Sequence, residues 1–108
     1  MLLKKNRAST KAIEKIFKEG KFINSSILTF KFILSSNTHE PKLSIIAPKS
    51  LAKTAVLRNH LRRAGYTALG RHIGGFPLGI TGAFVFKRKE DDISILENEV
   101  KTILNKVH

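Results

Sequence analysis

The residues with the clearest capacity for chemistry lie between positions 53 and 63, where the sequence reads KTAVLRNHLRR. A guanidinium group can bind a phosphate through two parallel hydrogen bonds, and an amide can reach a base edge or a ribose hydroxyl. Several such groups in one short stretch therefore predict a surface that binds a polyanion. The side chains concerned are those of Arg58, Asn59, Arg62 and Arg63.

A helix over residues 52–66 would place these groups on one side. At 100° per residue its apolar side chains share one arc, with Thr54 at the edge, and the basic side chains share the opposite arc with the ring of Tyr66. The apolar arc consists of Leu57, Leu61, Ala64 and Ala68. Such a helix can pack against a core and present guanidinium groups outward, although a merely solvated face is the simpler alternative. Gly65 is expected to weaken its last turn, so residues 66–69 either fray or continue it.

The charge distribution favours a phosphate-rich partner over a solvated face. The chain has 108 residues, a formal net charge of +12 and a pI near 10.4. Residues 41–89 contain no acid, whereas residues 90–108 contain five acids and two lysines. No segment joins this charge to the broad aromatic or leucine face of an interfacial membrane helix. Nucleic acid is therefore the expected partner, and a membrane is not.

Composition argues against several other functions. Cysteine is absent, which excludes disulfides, Cys-based zinc sites and a thiol nucleophile. The histidines have no ligand spacing, so we expect neither a metal site nor nuclease chemistry within this chain. They are His39, His60, His72 and His108. The sequence start lacks a long apolar segment and no run approaches the ~20 apolar residues of a membrane span, so we expect a cytoplasmic protein.

The first half of the sequence predicts a basic arm, a helix and three strands. Residues 1–8 form the arm, and a helix capped by Ser9 or Thr10 runs to about Glu19 and stops at Gly20. Residues 22–23 form a short strand, residues 28–34 alternate as a strand does, and residues 42–47 form the next one. The turn cluster at residues 35–41 should join two antiparallel strands.

The second half predicts a buried strand and a final helix. Residues 70–79 read as a flexible basic segment, residues 80–86 as a strand, and a helix capped by Asp91 or Asp92 runs to about Lys106. With the basic helix, this order predicts one domain over residues 1–108. Its expected fold is an α+β two-layer sandwich with a mixed four-stranded sheet and about three helices.

Three phenylalanines could stack on unpaired bases. Phe17 lies near the end of the first helix, whereas Phe22 and Phe30 lie in the predicted strands. Core packing is the ordinary alternative for each of them.

Residues 53–63 resemble the signature of the protein subunit of bacterial ribonuclease P, in which a strand leads into a Lys-rich turn and then a helix carrying Arg-Asn-Arg. Pro-Lys-Ser at residues 48–50 matches the turn, KKNR at residues 4–7 resembles the family's basic start, and IFKEGK at residues 16–21 resembles its helix-to-strand junction. The sequence departs from the family at His60, which replaces a permanently charged Arg, and at Ile13, where an aromatic residue is common.

The resemblance implies that the chain is not itself the catalyst. In that family an RNA subunit, using Mg²⁺, removes the 5′ leader from precursor tRNA, and the protein binds both this RNA and the leader. By position, the catalytic RNA would be contacted by Lys49, Lys53, Arg58, Asn59, His60, Arg62 and Arg63, with added basic contacts from Lys4, Lys5 and Arg7. The leader would lie against Phe17, Phe22, Phe30 and Lys31. No metal bound by the protein and no protein partner is implied.

The resemblance also implies a fold like domain 2 of ribosomal protein S5, with a left-handed βαβ crossover that runs against the usual rule. Two other binding functions remain as alternatives. A small basic ribosomal or structural RNA-binding protein would share the size and charge. A helix-turn-helix DNA-binding protein would need a helix at residues 42–48, where the sequence reads as a strand.

Overall fold

The computed structural model describes residues 10–34, 41–77 and 79–107. The helices are α1 (Thr10–Glu19), α2 (Ala55–Gly70) and α3 (Ile93–Val107), with a short 3-10 helix at Ile73–Gly75. The strands are β1 (Lys21–Asn24), β2 (Leu28–Leu34), β3 (Lys42–Ile46) and β4 (Ile80–Phe86). The predicted α+β class is confirmed. A search of the described helices finds none that is long and apolar enough to span a membrane.

The strands form one mixed sheet in the order β1-β2-β4-β3. β2 is antiparallel to both β1 and β4, and β3 is parallel to β4. The two strands that flank residues 35–41 are predicted to be antiparallel, and β2 and β3 do run in opposite directions, but they are not neighbours, because β4 lies between them. Nearly every residue of β4 is buried, which suits a strand covered on both faces at the centre of the sheet.

The strand register assigns residues to two faces of the sheet. One transverse row joins Ile23, Phe30, Phe84 and Ile45, and the adjacent row joins Phe22, Lys31, Ala83 and Ser44. Neighbouring residues on a strand point to opposite faces, so these two rows face opposite ways. The first row belongs to the main core, which α2 and α3 cover. α1 packs on the other face against β2 and β4, where Ile16 and Ala83 are fully buried.

Stacked phenylalanine rings form the centre of the main core. The Phe30 ring lies 4.3 Å from the Phe84 ring and 5.1 Å from the Phe32 ring, measured between centroids. Gly82 leaves the space for this stack, because a Cβ at that position would clash with the Phe30 ring. Phe30 is fully buried. The prediction that Phe30 offers a stacking surface for bases is therefore wrong, since its place in the strand alternation turns it toward the core.

α2 begins later than predicted, at Ala55 instead of Ala52. Thr54 has extended backbone angles, and its Oγ1 accepts a hydrogen bond of 3.1 Å from the Leu57 amide, as a helix cap does. Before it, the carbonyl of Pro48 accepts hydrogen bonds from Leu51 and Ala52 and closes a separate turn. Lys49 and Lys53 are exposed on this turn and at its end.

The contact of α2 with β3 decides one open expectation and corrects one prediction. Of the two outcomes expected after Gly65, the helix continues, because α2 runs to Gly70 with Gly65 buried. A Cβ on Gly65 would lie 3.0 Å from Cγ2 of Ile45, so the glycine permits close approach of the helix to the strand. Tyr66 does not share the outward basic face, because its hydroxyl accepts a hydrogen bond of 3.2 Å from the Ile45 amide.

The sequence predicts a flexible segment at residues 70–79, whereas the structure anchors this segment to the core through Phe76. Phe76 is buried, and its ring meets the rings of Phe30 and Phe84 edge-on at 6.0 and 6.1 Å. The glycine-rich composition of this stretch does not predict that an aromatic side chain anchors it to the core. α3 begins as predicted, with Asp92 Oδ1 accepting a hydrogen bond from the Ile95 amide, and it buries Leu96, Val100 and Ile103.

Candidate nucleic-acid interface

The flank of α2 that borders β3 combines two guanidinium groups with the turn before the helix. Lys49, Arg58 and Arg62 line a shallow depression of about 280 Å³ beside residues 45–47. Arg58 is half-buried, and its Nη1 donates to the carbonyls of Ala52 at 3.1 Å and Lys53 at 3.3 Å. Arg58 therefore fixes the turn to the helix and leaves only part of its guanidinium for a ligand.

The crest of α2 carries side chains that are open to solvent. Asn59, Arg62 and Arg63 are exposed, and Arg62 Nη2 donates a hydrogen bond to Asn59 Oδ1. This bond holds a planar guanidinium and an amide side by side, so that the pair presents donors for phosphate and for a base or ribose together. Val56, on the same crest, is 80% exposed and could contact an apolar part of a ligand.

The opposite flank of α2 faces α3 and differs in charge from the flank that borders β3. His60 Nε2 lies 2.9 Å from Asp91 Oδ2, and both side chains are mostly exposed. Arg63 and Thr67 line the same groove. His60 is thus adjacent to a carboxylate that offsets positive charge at this flank. The sequence indicated Asp91 only as a helix cap, since its contact with His60 depends on how α2 and α3 pack.

A second surface lies on the other side of the sheet, beside α1. Phe17 is 45% exposed, and the Nζ of Lys31 lies 4.7 Å from the centroid of its ring. Phe22 is 64% exposed and is paired across the strands with Lys31, on the same face. We call Phe17, Phe22 and Lys31 the cleft cluster. It joins two accessible rings to one cation, the combination that suits unpaired bases and their phosphates.

The predicted site residues thus fall on two surfaces. The α2 surface brings together Lys49, Lys53, Arg58, Asn59, Arg62 and Arg63, with His60 on the flank toward α3. The cleft cluster lies across the sheet from it, and Phe30 belongs to neither surface. Lys4, Lys5 and Arg7 lie outside the described residues.

The described histidines do not assemble a catalytic or metal site. His60 lies beside Asp91, and Nε2 of His72 lies 3.3 Å from Glu97 Oε1 without hydrogen-bond geometry. Within residues 10–34, 41–77 and 79–107, no three His, Cys, Asp or Glu side chains cluster as metal ligands. His39 and His108 lie outside the described residues.

The sequence profile of the Ribonuclease P family matches residues 3–108 of this chain. The chain belongs to the family of ribonuclease P protein subunits. Membership in this family assigns the chain a function in tRNA processing. It does not favour the alternative that the chain is a ribosomal protein. A comparison with curated proteins finds no significant sequence match.

Solved structures of ribonuclease P proteins share the fold. The RNase P protein of Staphylococcus aureus is 19% identical, with 93% of this chain and 92% of that chain covered and a TM-score of 0.77. The RNase P protein from Thermotoga maritima is 20% identical, with 94% and 97% covered and a TM-score of 0.79. At these identities the superpositions support the fold of a ribonuclease P subunit, and residue roles must be argued from this chain.

Proposed function

We propose that this ribonuclease P subunit binds two RNA segments on opposite faces of its sheet. The α2 surface binds the catalytic RNA, and the cleft cluster binds the single-stranded 5′ leader of precursor tRNA. The observation that carries this proposal is the position of the Lys31 ammonium above the Phe17 ring, beside Phe22, on the face that α2 does not cover.

The two surfaces suit different kinds of RNA. The α2 surface offers fixed guanidinium and amide donors on a rigid helix, which match the phosphates and ribose hydroxyls of a folded RNA. The cleft cluster offers aromatic faces, which a base can reach only when it is unpaired. A leader strand has unpaired bases, and a paired stem does not.

Catalysis is assigned to the RNA subunit. Among the described residues, no three carboxylate or imidazole groups cluster as ligands for Mg²⁺. In the proposal, Mg²⁺ is bound by the RNA subunit, the protein positions the substrate in the bacterial cytoplasm, and no second protein is needed. The whole sequence, residues 1–108, acts as one domain, with the basic arm at residues 1–8 adding phosphate contacts.

Reconstitution tests the proposal. A bacterial ribonuclease P RNA is assayed at low Mg²⁺, with and without this protein, on precursor tRNAs with a long leader and with a one-nucleotide leader. We expect the protein to raise cleavage efficiency, and to raise it more for the long leader. No gain with either substrate would refute the assignment, and co-sedimentation with ribosomal subunits would support the ribosomal alternative.

A further inference from the structure

The turn between β1 and β2 is attached to the C-terminal helix by a single carboxylate. Oε1 of Glu99 in α3 accepts a hydrogen bond of 2.6 Å from the Ile27 amide and one of 2.9 Å from Ser25 Oγ. The short distance to Ile27 is typical of a charge-assisted bond. Glu99 lies 72 residues from Ile27, so this contact belongs to the tertiary structure.

Lys87, just after β4, holds the turn from a second side. Its Nζ donates to the carbonyl of Ser25 at 2.7 Å, and its amide donates to the carbonyl of Ile27 at 2.7 Å. The turn also closes on itself, because the Ser25 amide donates to the Leu28 carbonyl at 2.8 Å. The backbone of the turn is therefore fixed to both α3 and β4.

The turn matters because β1 is an edge strand with few other attachments. β1 has four residues, pairs only with β2 within the described part of the chain, and carries Phe22 of the cleft cluster. Short edge strands separate from a sheet more easily than central strands do. Ile23 packs against the core, but the exposed Phe22 ring has no such anchor. The position of Phe22 relative to Lys31 therefore depends on how firmly the turn is held.

We infer that Glu99 is a positioning residue for leader binding, which acts by holding the β1–β2 turn and so fixing Phe22 beside Lys31 and Phe17. The inference rests on the proposed function of the cleft cluster. It gives α3, which has no residue in either RNA-binding surface, a part in substrate discrimination.

Glu97 provides a matched comparison on the same helix. It is also a half-buried glutamate with a long-range partner, because its Oε2 accepts a hydrogen bond of 3.1 Å from Arg71 Nη1. This bond ties α3 to the end of α2 and does not involve the turn. A general loss of α3 anchoring would make variants at Glu97 and Glu99 equivalent, whereas a specific effect on the turn would separate them.

Three substitutions at Glu99 distinguish the effect of its side-chain length from the effect of its charge. Glu99→Ala removes the acceptor, Glu99→Asp keeps the charge but shortens the side chain by one methylene, and Glu99→Gln keeps an oxygen at the same reach. If the hydrogen bonds to the turn are what matters, Glu99→Asp resembles Glu99→Ala, whereas Glu99→Gln retains most of the leader effect, because its oxygen still accepts both bonds without the charge. Glu97→Ala is the control, and each variant is assembled with the ribonuclease P RNA.

Two readouts are measured on the assembled enzyme and the free protein. The first is the ratio of KM values for precursor tRNAs with a one-nucleotide leader and a long leader, together with kcat for each. The second is the hydrogen-exchange rate of the Ile27 amide in variants that remain folded. We expect Glu99→Ala to reduce the ratio of the one-nucleotide-leader KM to the long-leader KM about tenfold, the lower end of the range for loss of a charge-assisted hydrogen bond. Hydrogen exchange of the Ile27 amide should become faster in the same variant.

Four outcomes decide the inference. Loss of the leader effect in Glu99→Ala and Glu99→Asp, with retention in Glu99→Gln and Glu97→Ala, supports it. An unchanged leader effect in Glu99→Ala overturns it, and so does an equal loss in Glu97→Ala or in Glu99→Gln. If Glu99→Ala does not fold, Glu99→Asp and Glu99→Gln decide by the same criteria. A wild-type protein without any leader effect would instead refute the proposed function.

Discussion

Truncation of Phe17 gives the most direct test of the cleft cluster. In Phe17→Ala the ring is removed from beneath the Lys31 ammonium, which lies 4.7 Å from its centroid. We expect precursor tRNA with a long leader to bind more weakly, while mature tRNA, which has no leader, binds as before. The difference arises because only an unpaired base can use the ring.

The magnitude follows from the exposure of the ring. Stacking of a base on an aromatic side chain contributes about 1–3 kcal/mol by alanine substitution. The Phe17 side chain is 45% exposed, so one base can cover only part of it and the lower half of that range applies. A loss of about 1–2 kcal/mol weakens leader-dependent binding roughly 5- to 30-fold.

The assay is equilibrium binding of both RNAs to the assembled enzyme under conditions of slow cleavage. Ile95→Ala serves as the control, because Ile95 in α3 is 40% exposed, similar to Phe17, and lies outside both surfaces. The two variants should lose similar small amounts of folding stability, and only Phe17→Ala should lose leader affinity. An equal weakening of both RNAs, or no weakening of either, would refute the assignment of this surface to the leader.

Four further substitutions test three other contacts. Arg58→Ala should weaken RNA binding and also lower the free energy of unfolding by about 1 kcal/mol, because the hydrogen bonds from Arg58 to the turn are lost. Arg63→Ala should weaken only RNA binding. Denaturant unfolding and RNA titration of the two variants would separate these effects. Asp91→Asn should tighten binding of the ribonuclease P RNA about threefold at low salt by removing a negative charge beside His60, and weaker binding would show instead that Asp91 orients the imidazole for contact. Gly65→Ala should destabilise the fold by about 1 kcal/mol in thermal unfolding, because overpacking against β3 outweighs the gain in helix propensity, and a more stable variant would contradict this account of the helix contact.

Local patterns in the sequence were sufficient for the elements that depend on local physics. The Asp92 cap of α3, the alternation in β2 and the apolar period of α3 appear as expected, because each is set by residues within a few positions of one another. The positions of Lys31 and Phe30 on opposite faces of β2 followed from the same alternation. Alternation does not say which face is covered, and this is why Phe30 was placed among the candidate base contacts.

Features that depend on distant contacts could not be predicted. Gly65 and Tyr66 are explained by Ile45, about twenty positions away, and the role of Phe76 depends on the stack formed by Phe30 and Phe84. Residues 35–41 have the composition of a hairpin turn, but β2 and β3 do not pair directly with each other. β4 lies between them, because its apolar residues require cover on both sides. The positions of the two proposed RNA surfaces on opposite faces required the register of all four strands.

The central position of β4 has a consequence for synthesis of the chain. Among the described strands, β4 is the last to leave the ribosome and the only neighbour of β3, and it also forms the longest ladder of β2. Until residues 80–86 emerge, the β1–β2 hairpin is the only part of this described sheet that can form, and the apolar faces of β2, β3 and α2 remain without cover. Contacts between strands so far apart in sequence form slowly and leave such faces open to aggregation. The subunit should therefore complete its sheet, and with it the packing of α1 that positions Phe17 in the cleft cluster, in one late step once β4 has emerged.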